Sequence, residues 1–296
     1  IDITPPVITC PFSRTVNSDP GSCGAIIIDI GTAQATDACD ANVRIQVDGE
    51  KNFYPAGTTT VTYTAFDDAG NTATCTQTIT VLDWEKPEIV CPAPVSVSCV
   101  ADIPSVNIAQ VTASDNCSEV TVSHVGDVIT NQTCANKFTL LRTYMATDAY
   151  ANTSTCTQTI TVNDNVPPQL TGLSVSQQVL APPNHKMRDI TVNYTVTDNC
   201  AVPTPVTITI TSNESVNGTG DGDTDPDWEV VDAHHIRLRA ERSANGDGRI
   251  YTITVTVDDG CNPPVSQSKQ VMVAHNITGP QSGKPFKVGS IVNFSG

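Results

Sequence analysis

The stretch richest in reactive side chains is Asp-Gly-Asp-Thr-Asp-Pro-Asp, in which Asp221, Asp223, Asp225 and Asp227 alternate with Gly, Thr and Pro. Glu229 follows, and Asn245 and Asp247 occupy a second Gly-rich loop. Calcium takes about six to eight oxygen ligands from flexible loops of this composition. Asp221, Asp223, Asp225, Asp227 and Asp247 are therefore candidate calcium ligands, with a solvated acidic hairpin as the alternative. The loop is not an EF-hand, because Pro226 stands where that motif needs glycine and the twelfth-position glutamate is missing. Asp83 and Asp164, close in sequence to the turns Asp67 to Asn71 and Asp148 to Asn152, form a second candidate for chelating calcium between modules.

Catalytic chemistry finds little footing. His234 and His235 adjoin Asp232, but neighbouring residues on a strand point to opposite faces, which predicts exposed strand histidines. No G-x-S-x-G elbow, HExxH helix or phosphate-cradling glycine loop occurs. His124 and His185 are isolated, and Arg237, Arg239 and Arg242 beside Glu241 and Asp232 read as a surface ion-pair cluster. The expectation is a chain that is not an enzyme.

The elements that must position these residues follow from an internal repeat, the signature of modular architecture. Asp2, Asp83 and Asp164 lie 81 residues apart, each followed four residues later by Pro6, Pro87 or Pro168. The segment Thr74 to Val81 recurs letter for letter as Thr155 to Val162. Asp67 and Asn71 match Asp148 and Asn152, with Asp258 and Asn262 as the third copy. Three modules are expected, at 1–82, 83–163 and 164–275, with 276–296 as a linker and the first strand of something further. Val61, Tyr63 and Ala65 alternate with threonines, as do Tyr251, Ile253, Val255 and Val257. That period of two predicts strands with one buried face, and frequent Gly, Pro and Asn turns predict antiparallel sandwiches. The fold class is all-β, tandem immunoglobulin-like sandwiches, and the extended X-Pro linkers predict a rod.

Eleven cysteines imply an oxidising compartment. Cys10 and Cys91 occupy equivalent positions, as do Cys75 and Cys156, and in the third module Gly172 and Ser266 or Gln267 stand in their places. This joint loss predicts Cys10 with Cys75 and Cys91 with Cys156. The same equivalence predicts Cys23 with Cys39 and Cys99 with Cys117, which leaves Cys200 for Cys261. Cys134 is odd, a buried free thiol or else a reactive or intermolecular cysteine. No Cys/His spacing for zinc is present.

The formal charge of −16, from 31 acids against 15 bases, predicts no nucleic-acid partner, since phosphate binding needs clustered Lys and Arg. No apolar run reaches the roughly 18 residues of a membrane span. Phe286, Val288, Ile291, Val292 and Phe294 form a strand-like run after Gly279-Pro280, and this C-terminal strand is a candidate for self-assembly by docking on another sheet edge.

The opening PPVITCP, the middle TDAC or SDNC, and PAGTTTVTYTAFDDAGNTATCTQTITVLD together resemble the hyalin repeat, or HYR, module over residues 2 to 164. Residues 165 to 275 resemble a divergent module of large surface proteins of Bacteroidota-like bacteria, and KPFKVGSIVNFSG resembles the opening strand of a PKD-like sandwich. The resemblance implies an extracellular or cell-surface location and a non-catalytic stalk or filament segment whose partners are protein subunits or cell-surface ligands. The alternative is a set of accessory carbohydrate- or partner-binding modules of a secreted enzyme, for which only Trp84 and Trp228 offer aromatic platforms. Similar modules carry a cysteine where this chain has Ala149-Tyr150-Ala151. The absence of that cysteine implies that Cys134 is unpaired.

Overall fold

The computed structural model of the chain describes residues 2–200, 204–216, 225–243 and 248–274. Strands dominate, and the only helical turns among the described residues are two 3-10 turns, Val100–Asp102 and Ile108–Gln110. Every sheet draws its strands from a single sequence repeat. The chain divides into two compact units. The first holds residues 1–97, 103–132 and 138–162, and the second holds 98–102, 133–137 and 163–296.

In the first unit, Arg14–Asn17, Thr72–Leu82, Gly57–Phe66 and Arg44–Asp48 form a four-stranded sheet in that order. Val7–Thr9 pairs with Gln34–Thr36, and Gly24–Ile26 pairs with Phe53–Pro55. Alternation puts Val61, Tyr63, Ile79 and Val81 into one core with Tyr54, Ala25 and Ile30, while the intervening threonines keep their hydroxyls on the more open face. Gln77 is fully buried among them and is satisfied, accepting from the Tyr63 hydroxyl at 2.9 Å and donating to the Phe12 and Ile30 carbonyls at 2.7 and 2.8 Å. Such pairing is required of a buried amide.

The second repeat uses the same register. Arg14 faces Ile79 and Val16 faces Val81 across a parallel pair, and 81 residues later Val95 faces Ile160 and Val97 faces Val162. Val95–Val97, Thr153–Asn163, Lys137–Thr147 and Thr121–Cys134 form its sheet. Phe138, Leu140, Ile160 and Val162 make its core.

The third repeat, in the second unit, is a sandwich of two four-stranded sheets. One runs Gln169–Val175, Met187–Thr197, His235–Arg239, Trp228–Val230, and the other Val179–Leu180, Val265–Val273, Ile250–Val257, Val206–Ser212. Tyr251, Ile253, Val255 and Val257 alternate inward against Ile190, Val192, Ile236 and Leu238. Segment 276–296, with its candidate C-terminal strand, lies outside the described residues.

Cys10 is bonded to Cys75 and Cys91 to Cys156, with Cα atoms 5.8 and 5.6 Å apart. The remaining bridges differ from the sequence expectation. In the second unit Cys99 is bonded to Cys200 and Cys134 to Cys261, so Cys134 is not a free thiol, Cys99 does not pair with Cys117, and Cys200 does not pair with Cys261. Cys23 and Cys39 are not joined either, and Cys23, Cys39 and Cys117 are thiols. The physical reason lies in the partners. The cysteine after a repeat's second strand packs on the Asp-x-Cys turn of the following repeat, and Cys134 meets the following repeat's Asp-rich turn rather than its own.

Candidate functional site

The residues that recur in space are not those of the acidic loop. Asp2, Asp37 and Cys39 converge, as do Asp83, Asp115 and Cys117, and Asp164, Asp198 and Cys200, with the ligand atoms of each trio within 4.8 Å of one another. Each trio combines the aspartate that opens a repeat with an Asp-x-Cys turn. The turn is built the same way each time. Asp37, Asp115 and Asp198 accept the amides of Cys39, Cys117 and Cys200 at 2.8 Å through one carboxylate oxygen, closing an Asx turn.

The opening aspartate is fixed by a second turn. Asn71 and Asn152 donate side-chain N–H groups to Asp67 at 2.7 Å and Asp148 at 2.8 Å. The same side chains reach the backbone carbonyls of Asp2 at 3.4 Å and Asp83 at 3.3 Å. In the third copy Asn262 pairs with Asp259, not Asp258, and reaches the Val166 carbonyl at 3.3 Å. These hydrogen bonds hold the Asp67 carboxyl below its usual range, even though burial works in the opposite direction.

The convergence leaves oxygen atoms without partners. Asp83 and Asp164 are 7% and 1% exposed, and Asp83 Oδ2, Asp115 Oδ2 and Asp198 Oδ2 are buried with no hydrogen-bond partner. An uncompensated buried carboxylate is costly. Burial raises the Asp83 pKa, the Glu85 N–H on its other oxygen and the Cys117 thiol work against that rise, and the charges of Asp115 and Asp148 add to it. Orphaned hard oxygens facing one another fit a divalent cation of the calcium type. Sulfur adds nothing to such a site, and Cys200 is in any case committed to its bridge. Burial, followed by its interaction with Cys23 and the Asp83 charge, raises the Cys117 pKa above its usual range.

The sequence candidates fare differently. Asp221, Asp223 and Asp247 lie outside the described residues. Asp225 is exposed. Asp227 is a correction: it is 1% exposed and its carboxylate receives Arg249 Nη1 in a fully buried ion pair, so packing has made it a counter-ion. Arg249 also reaches Glu214 at 3.3 Å and Glu241 at 3.9 Å. Burial pulls the Arg249 pKa down, but Tyr251 and Asp227 outweigh it and the pKa is raised, while burial pushes Tyr251 up to about 12.

The expected surface arginine cluster is split. Arg237 is exposed and bridges Asp189 and Glu229 at 2.9 and 3.3 Å. Arg239 is buried, donating to the Pro226 and His185 carbonyls. His234 stacks on Tyr194 at 4.5 Å, His235 pairs with Asp232, and His124 pairs with Asp127. Trp228 packs edge-on against Tyr251 in the core, whereas Trp84 is 52% exposed beside a shallow depression of about 700 Å³.

Residues 1–81 match the HYR domain family model. The chain contains an HYR domain. Beyond that domain, two curated relatives align with the chain. Hyalin of Lytechinus variegatus is 29% identical over 211 residues, which is 67% of this chain and 38% of that protein. Hyalin of Strongylocentrotus purpuratus is 28% identical over 189 residues, 60% of this chain and 16% of that protein. The chain therefore spans well under half the length of either. Among solved structures, the extracellular cadherin domains 1-5 of protocadherin gamma B2 align at 14% identity with a TM-score of 0.32, covering 93% of this chain and 61% of that one. Mouse cadherin-23 EC22-24 aligns at 14% and 0.31, covering 92% and 99%. Four disulfides and an HYR domain make the protein extracellular. No helix among the described residues is long and apolar enough to cross a membrane.

Proposed function

We propose that this HYR-containing chain is a non-catalytic stalk or filament segment, joined to other protein subunits or cell-surface ligands, and that divalent cations seat where its repeats begin. The observation that carries the reading is the threefold recurrence of one constellation, an opening aspartate held against an Asp-x-Cys turn. An enzyme needs one distinctive site. A spacer needs the same joint again and again. Asp83 with Asp115, and Asp164 with Asp198, would hold the ion, and calcium would supply charge neutralisation to oxygens that lack partners.

Pulling single molecules by the two chain ends tests the mechanical role. The reading expects discrete unfolding events whose released lengths omit the loops closed by Cys10–Cys75 and Cys91–Cys156, each of sequence separation 65. Smooth extension without unfolding events would overturn it. Accessory carbohydrate binding rests on the exposed Trp84 alone. Glycan binding that Trp84→Ala abolishes would favour that second reading.

A further inference from the structure

We propose that Cys23 and Cys117 are the two halves of a further disulfide, equivalent to the one between Cys99 and Cys200. The inference does not depend on the stalk reading. It rests on the correspondence of two corners of the molecule, one in each unit.

Asp115-Asn116-Cys117 repeats as Asp198-Asn199-Cys200. Cys117 and Cys200 each donate their backbone N–H at 2.8 Å to the aspartate two residues earlier. The preceding asparagine side chains, Asn116 and Asn199, approach the sulfurs at 3.7 and 3.2 Å. Cys200 Sγ faces the carbonyl of Ser98, the residue before its partner Cys99, at 3.6 Å. Cys117 Sγ faces the carbonyl of Ser22, the residue before Cys23, at 4.0 Å. In return Cys99 Sγ lies 3.4 Å from the Asn199 carbonyl, and Cys23 Sγ lies 3.6 Å from the Cys117 carbonyl. The thiol of Cys117 thus stands where the bonded sulfur of Cys200 stands, and Cys23 Sγ approaches its partner one residue further along, at the carbonyl of Cys117 itself where Cys99 meets that of Asn199. The Cys99–Cys200 bridge shows that this backbone arrangement accommodates a disulfide, with Cα atoms 5.3 Å apart, inside the range such bonds require.

The chemistry is thiol–disulfide exchange with an oxidised dithiol, either a small-molecule disulfide or a disulfide oxidoreductase of the secretory route. Cys23 and Cys117 each lose a proton, one Sγ–Sγ bond forms, and the two electrons break the oxidant's S–S bond to leave two thiols. Cys39 occupies the position of Cys117 and Cys200 in the first repeat and is exposed, which makes it an internal control for labelling.

The test uses the full chain, either secreted by cells or refolded with reduced and oxidised glutathione. It is then denatured without reductant, alkylated, digested and mapped by mass. The expected result is a peptide pair joining Cys23 to Cys117, with neither cysteine alkylated. Cys23→Ser should convert Cys117 from unlabelled to fully labelled. Full alkylation of Cys23 and Cys117 while the four other bridges stay intact would overturn the proposal. A bridge from Cys23 or Cys117 to Cys39, or a Cys117 that stays unlabelled in Cys23→Ser, would also overturn it.

Discussion

The first and third repeats bury similar alternating strands but secure them by opposite means. In the first, Cys10–Cys75 clips the opening strand to the long Thr72–Leu82 strand, and the one buried polar side chain at the centre, Gln77, has each of its partners. In the third, the corresponding cysteines are absent. There Arg249, Asp227 and Glu241 are fully buried behind Tyr251, and the sandwich is bonded instead to segments 98–102 and 133–137 through Cys200 and Cys261. A covalent clip constrains the unfolded chain and tolerates a simple core. A buried ion cluster satisfies itself only in the folded geometry, so it specifies that geometry at the risk of severe loss when one partner goes. The same scaffold accepts either device because the alternating strands do the shared work of burying apolar area.

Removing the clip should cause the largest change. Cys10→Ser with Cys75→Ser opens a loop of sequence separation 65 and should cost about 4 kcal/mol on the loop-entropy estimate, read as a lower urea midpoint for the first unit with the second unit's transition unmoved. Next comes Arg249→Leu, which leaves the buried Asp227 carboxylate without its counter-ion and should cost about 3 kcal/mol or more in the second unit. Adding Asp227→Leu should recover part of the loss. A full-size loss that the second substitution leaves unchanged would show that the cluster is not coupled.

A smaller effect, of opposite sign, separates the first repeat from the second. Gly70 and Ala151 hold the same turn position at φ 89° and 70°, a conformation that costs a residue with a Cβ about 1–2 kcal/mol. Ala151→Gly should therefore stabilise the protein by roughly 0.5–1 kcal/mol in thermal melts, after the extra entropy of glycine in the unfolded chain is deducted.

The smallest expected effect is a pH response. Asp127 is held below its usual pKa by Arg142 first and by His124 in addition, and Arg142 lies almost wholly inside the second repeat. A depressed carboxyl contributes stability above its unfolded pKa of about 3.9 and loses it as pH falls through the folded value. The urea midpoint should therefore drop below about pH 4, and Asp127→Asn should flatten that drop.

Much of this architecture was legible in the letters. The 81-residue spacing and the period-two alternation around Val61, Tyr251 and their equivalents place the strands, because burial on one face leaves a one-dimensional trace. Cys10–Cys75 and Cys91–Cys156 were legible because both partners belong to one repeat and vanish together. Cys99–Cys200 and Cys134–Cys261 were not, since equivalence of positions says nothing about whether a cysteine meets its own repeat or the next. Asp227 reads as one more acid in a soluble loop, and only its packing against Arg249, 22 residues away in sequence, makes it a core residue. The paired oxygens of Asp83 and Asp115 were half visible. The sequence marked Asp83, but nothing in it brought the Asp-x-Cys turn alongside.

Whether those oxygens hold a cation is open to direct measurement. Thermal melts of the full chain in calcium and in chelator, with wild type beside Asp83→Asn and Asp115→Asn together, decide it. At free calcium a hundred times the dissociation constant, binding to the folded state alone should add about 2.7 kcal/mol, and the double variant should lose that gain. Superimposable wild-type melts in calcium and chelator would contradict the account.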